Sequence, residues 1–142
     1  LELVAYPDPG TKNHPDPIER GKPWTIGYGH TIGVYPGMTC TEVQADAWLR
    51  EDVKWAEKAV KDLVEVGLSQ GQYDALVDFV FNVGRKAFLN SELLQKLNQG
   101  RYSEVDAELA EWIFSGGKVF QGLVTRRARA AQLFDDEEPD SI

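Results

Sequence analysis

Six of the seven prolines of this 142-residue chain fall within residues 1–39, and none falls within residues 41–134. Proline removes a backbone donor and breaks helix interiors. The N-terminal stretch is therefore barred from being helix-rich, while the long proline-free stretch after it is open to helices. The first part carries three short β-type runs: Leu3-Val4-Ala5-Tyr6, Trp24-Thr25-Ile26-Gly27-Tyr28 and Thr31-Ile32-Gly33-Val34-Tyr35. Turn residues separate them, so they predict a small antiparallel sheet. A sheet of that size does not stand alone and must lean on something.

The proline-free part has marked helix starts. Thr41 with Gln44, and Ser69 with Gln72, both fit a capping box. From 41 to about 64, Val43, Ala47, Val53, Ala56, Val60 and Leu63 recur among Glu and Lys, which predicts one long amphipathic helix. From 70 to 83 the pattern changes: Ala75, Leu76, Val77, Phe79, Val80, Phe81 and Val83 leave almost no polar face. Such a helix is a buried one. Shorter helices are expected at about 90–98, 103–113 and 123–134, broken at Gly100 and Gly116-Gly117. The expected fold class is α+β: a β lobe (1–39), a connecting helix (41–64) and a helical lobe (69–134), with a groove between the lobes as the expected ligand site.

Charge and cysteine content remove several function classes. The net charge is −8, but Asp135, Asp136, Glu137, Glu138 and Asp140 sit in the last eight residues. Residues 1–134 hold 15 basic and 18 acidic side chains, so the acidity belongs to a tail, 135–142, expected to be solvated. A basic surface for nucleic acid is missing. No run approaches the roughly 18 apolar residues of a membrane span, so no stable membrane insertion is expected. One cysteine, Cys40, with His14 and His30, offers neither a disulfide framework nor a structural metal site. The sequence contains no Gly-x-Ser-x-Gly elbow and no phosphate-binding loop.

Carboxylates in the β lobe remain: Glu2, Asp8, Asp16 and Glu19. Asp8 and Asp16 share one setting, Pro7-Asp8-Pro9 and Pro15-Asp16-Pro17, for which ordinary turn chemistry is the plain reading. Beside them, alternation puts Thr25, Gly27 and Gly29 on one strand face, bare apart from a hydroxyl. Such a face suits close approach of a ligand next to a carboxylate.

These residues carry a family resemblance. Leu3-x-x-Tyr6-x-Asp8, Trp24-Thr25-Ile26-Gly27-Tyr28-Gly29-His30, Asp74-Ala75-Leu76 through Phe81-Asn82-Val83-Gly84, Phe88 with Asn90-Ser91, Leu94-x-Lys96-Leu97-Asn98, Trp112 and Thr125-Arg126-x-x-Arg129 occur in order. Together they resemble the phage-type lysozymes, the endolysin and muramidase family (glycoside hydrolase family 24), over residues 1–134. The resemblance implies a two-lobed lysozyme-like fold and hydrolysis of the β-1,4 bond between N-acetylmuramic acid and N-acetylglucosamine, with inversion and without a cofactor. It implies Asp8 and Thr25 as the catalytic pair that positions water. The acid is a Glu expected two positions upstream of Leu1; Glu2 is out of register and reads as a surface strand residue.

Phe81 and Ser91 match substrate-contacting positions, although Phe81 also reads as core and Ser91 as a helix cap. His30, Asp78, Arg126 and Arg129 are supporting residues. Asp78 is expected to form a buried pair with Arg126 or Arg129. The chain carries a longer loop than the family pattern over 9–23, and Asp16 within it stands as an alternative base. The implied setting is a monomeric phage or prophage protein, made in the host cytoplasm and acting on peptidoglycan in the periplasm. The competing reading is a catalytically inactive glycan-binding or structural domain; a weaker one is a protein-binding module using the acidic tail.

Overall fold

A computed structural model describes residues 1–8, 15–16, 18 and 21–136. It contains strands β1 (Glu2–Tyr6) and β2 (Thr25–Gly27) and helices α1 (Glu42–Asp52), α2 (Lys54–Leu63), α3 (Gln70–Val83), α4 (Arg85–Leu89) and α5 (Glu92–Asn98). A 3-10 turn (Tyr102–Glu104), α6 (Val105–Leu109), strands β3 (Phe114–Ser115) and β4 (Lys118–Val119), and α7 (Gln121–Asp135) follow. The chain divides into two compact units, Leu1–Lys54 and Trp55–Ile142.

In the first unit β1 and β2 pair antiparallel, Glu2 opposite Gly27 and Tyr6 opposite Thr25, with a register shift between. The expected third strand over 31–35 does not form. The other edge of β1 is taken by residues 38–40: Ala5 N–H bonds to Met38 O, Cys40 N–H bonds to Leu3 O, and Val4 bridges Thr39. Residues 31–38 instead close two turns, Val34 N–H to Thr31 O and Met38 N–H to Tyr35 O. Beyond β2, Ile26 and His30 exchange both backbone hydrogen bonds, so the chain doubles back at once. Gly27, at φ +67°, lies against α1; a Cβ there would stand 3.1 Å from the Ala45 Cβ.

The expected single helix over 41–64 is two helices, separated at Val53 (φ −79°, ψ −12°). No proline or glycine marks the break. At Thr41 the hydroxyl accepts the Gln44 N–H, whereas Ser69 and Gln72 form both halves of the box.

The second unit is built on α3. Its buried residues include Ala75, Leu76, Phe79 and Val80. Phe79 meets Phe88 of α4 edge-on (6.2 Å) and Trp112 likewise (5.3 Å), the favourable geometry for aromatic pairs. Gly71 lets α7 approach α3, since a Cβ there would fall 2.6 Å from the Leu133 carbonyl oxygen. The helix expected over 90–98 forms as α5, preceded by the unanticipated short α4. The one expected over 103–113 ends at Leu109, and a β3–β4 hairpin turns at Gly116-Gly117. From 137 onward, the expected acidic tail lies outside the described residues.

Candidate active site

Asp8 follows β1 by two residues, just beyond the Tyr6–Thr25 pair. Its N–H is tied to Gly21 O at 2.8 Å, and it is half-buried. Thr25, also half-buried, donates its hydroxyl proton to Pro23 O at 3.3 Å, which leaves the oxygen's acceptor side available. The hairpin thus brings these two sequence candidates to one end of the first unit.

The other acids of the β lobe have different settings. Asp16 is exposed, and its Oδ1 accepts the Ile18 N–H at 3.0 Å, a side-chain turn of the kind Asp forms two residues on. Glu2 is exposed on β1. Glu19 and His14 lie outside the described residues.

His30 is nearly buried. Its Nδ1 meets Asp52 Oδ2 at 2.8 Å and its ring stacks on Trp48 at 4.4 Å and 6°. This joins the turn after β2 to α1, so the ring acts as a clamp within the first unit.

The remaining candidates belong to the second unit. Phe81 is half-buried and stacks on Trp55 at 6.0 Å. Ser91 is 4% exposed and caps α5: its hydroxyl accepts the Leu94 N–H at 3.1 Å and donates to Phe88 O at 2.7 Å. Arg126 pairs with Asp78, Nη2 to Oδ1 at 2.8 Å and Nε to Oδ2 at 3.3 Å. The expectation that this pair is buried fails, because the side chains are 37% and 41% exposed. The polar edge of α3 faces solvent there, over a cavity of about 450 Å³ that Arg129 and Thr125 also line.

Among the described residues the buried arginine is Arg127, which is not among the sequence candidates. It is 3% exposed, with Nε donating to Trp112 O at 3.0 Å, Nη2 donating to Asn82 Oδ1, and the guanidinium 5.1 Å from the Phe79 ring centre. Burial lowers its pKa, Arg126 adds to the lowering, and Asp78 partly offsets it. A signal for it exists: Arg127, Ala130 and Phe134 follow the helical period of the buried stripe of α7. Glu108, 4% exposed, is a second buried charge outside the sequence candidates. It is paired with Lys96, whose pKa the hydrogen bond raises against the opposing effect of burial.

No group of three His, Cys, Asp or Glu among the described residues is arranged to hold a metal ion. No helix among them is long and apolar enough to cross a membrane.

Residues 2–130 match the phage lysozyme family model. The chain belongs to that family. It is 42% identical over 143 aligned positions to an endolysin of Bacillus phage PZA, covering all of this chain and 52% of that protein. The chain thus spans about half the length of this relative. It is 42% identical over 118 positions to an endolysin of Acyrthosiphon pisum secondary endosymbiont phage 1, covering 79% of this chain and 80% of that one. Among solved structures this phage lysozyme family member resembles the muramidase domain of SpmX from Asticaccaulis excentricus: TM-score 0.84, 35% identity, 96% of this chain and 88% of that one. The α+β lysozyme-like fold class expected from the sequence agrees with this likeness.

Proposed function

We propose that this chain hydrolyses the β-1,4 bond between N-acetylmuramic acid and N-acetylglucosamine in peptidoglycan, as an endolysin that inverts the anomeric carbon. The observation that carries the reading is the pairing of Tyr6 with Thr25, two residues short of Asp8. A carboxylate and a hydroxyl oxygen at one hairpin end can accept the two protons of a single water, which aims its oxygen lone pair at the sugar. Asp8 then takes a proton as general base, and Thr25 orients the water. Inversion requires the general acid on the far side of that water, roughly 6.5–9.5 Å from the base. The acid in this reading is the glutamate that the family resemblance leads one to expect two positions before Leu1.

Phe81 provides an apolar contact for the glycan, and Ser91 supports it by holding the turn between Phe88 and Leu94. His30 keeps the β2 turn on α1, and Asp78, Arg126 and Arg129 form the charged edge of the second unit. The protein acts as a monomer on the cell wall, made in the host cytoplasm and working in the periplasm.

The test is release of reducing ends from purified peptidoglycan by a form that carries the upstream Glu. Release that falls on replacing that Glu by Gln supports the reading. A folded protein that binds wall material and releases none favours the inactive glycan-binding alternative.

A further inference from the structure

The last turn of α7 ends beside α6, and the two meet through a pair of carboxyl groups. Asp106 of α6 is half-buried and in hydrogen-bond contact with Asp135, the final residue of α7. Asp106 Oδ1 is shielded from solvent and accepts no hydrogen bond. Ionised carboxylates are acceptors only, so two of them share a hydrogen bond only when one carries a proton. Among the described residues no cation offsets Asp106. Lys96 of α5 is taken by Glu108, and Arg101, ahead of the 3-10 turn, by Glu104. On α7, Arg126 serves Asp78, Arg127 serves Asn82 and Trp112 O, and Arg129 lines the cavity beside Asp78. Glu92 of α5, Asp74 of α3, Glu111 after α6 and Asp136 at the α7 cap are exposed, and Asp135 is the charged group that acts on Asp106. Phe134, 2% exposed, is the last core residue of α7, one position before the contact.

We propose that Asp106 and Asp135 form a proton-operated latch that closes the last turn of α7 on α6. In the closed state the protonated Asp106 carboxyl donates its hydrogen to an Asp135 carboxylate oxygen. Loss of that one proton to solvent leaves two carboxylates in contact, one of them with a buried oxygen, and repulsion replaces the hydrogen bond. The helix end is the part that gives way, because its last carbonyls lack partners within the helix and such ends open at little cost. Opening runs through Leu133 to Asp136 and loosens the cover over Phe134. Burial and Asp135 push the Asp106 pKa up to about 7. The latch is therefore closed in mild acid and open above neutral pH. It does not depend on the hydrolysis proposed above.

The test is an NMR titration of the 142-residue chain between about pH 5 and pH 8, following the Asp106 carboxyl carbon and the Cα shifts along α7. The helical Cα shifts of Leu133 and Phe134 are expected to fall at least halfway to coil values as the Asp106 carboxyl titrates. Those from Leu123 to Ala130 are expected to stay helical. Asp106→Asn keeps a donor facing Asp135 at every pH and is expected to abolish the change. Asp135→Asn, an exposed substitution, is expected to do the same and serves if the first variant folds poorly. Asp136→Asn removes the same charge one residue further on and is expected to leave the change in place. The proposal is overturned if Leu133 and Phe134 stay helical at pH 8, or if the whole of α7 loses its helical shifts together. It is equally overturned if the change survives in both the Asp106 and Asp135 variants, or if Asp136→Asn abolishes it as fully as they do.

Discussion

Arg126 meets Asp78 side-on, with Nη2 2.8 Å from Oδ1, and both side chains are more than a third exposed. One residue further along α7, Arg127 is 3% exposed and bonds to Trp112 O and Asn82. Two adjacent arginines therefore have opposite energetic roles. Exposed pairs contribute about 0–1 kcal/mol, so Asp78→Ala and Arg126→Ala are expected to lose no more than that in denaturant unfolding. Arg127→Ala is expected to lose about 2–5 kcal/mol, the range for large-to-small changes in a core. Equal losses at Arg126 and Arg127 would refute this division.

Gly71 is the second stability test. A Cβ at this position would stand 2.6 Å from the Leu133 carbonyl oxygen, which is backbone and cannot rotate away. Gly71→Ala must push α7 off α3, although alanine is the better helix former by about 1 kcal/mol. A net loss of about 1–3 kcal/mol, the usual cost of overpacking, is expected in thermal or denaturant unfolding. A rise in Tm would mean that the helices part without cost.

The carboxyl of Asp106 sets a pH dependence. Burial, then hydrogen bonding and repulsion from Asp135, push its pKa up to about 7. An unfolded Asp titrates near 4, so between about 4 and 7 the folded chain holds a proton that the unfolded chain does not. Stability from this group is fully present below about pH 4 and is lost as pH rises to about 7. Asp106→Asn imitates the protonated form. It is expected to flatten this part of the Tm-against-pH curve and to raise Tm at pH 8; an unchanged slope would count against the assignment.

Asp8 and Asp16 are separated by activity. With the proposed acid present, Asp8→Asn is expected to lower hydrolysis by about 10²–10⁴, the usual contribution of general base catalysis. Tm should barely move. Asp16 already serves the turn to Ile18, so Asp16→Asn is expected to leave the rate within a factor of two or so of the parent. The opposite pattern would transfer the base to Asp16.

Local features are legible in the residue order alone. The Ser69-Gln72 box, the 70–83 helix and the two-residue spacing from Tyr6 to Asp8 depend on neighbours a few positions away, and chain order displays these directly. The third strand expected over 31–35 fails because a β-type run states a propensity and not a partner. The free edge of β1 went to residues 38–40, a choice made by the turns at 31–34 and 35–38.

The sequence by itself determined the division into a proline-rich sheet part and a helical part, the helix starts at Thr41 and Ser69, and the order of the candidate site residues along the chain. Only the tertiary structure decided which face of a nearly all-apolar α3 turns inward, and so that Asp78 stays solvated while Arg127 is covered. A helix apolar on most sides carries no local signal of its buried face. That choice is made by distant partners: here Gly71 admits the α7 backbone and Phe79 receives both Trp112 and the Arg127 guanidinium.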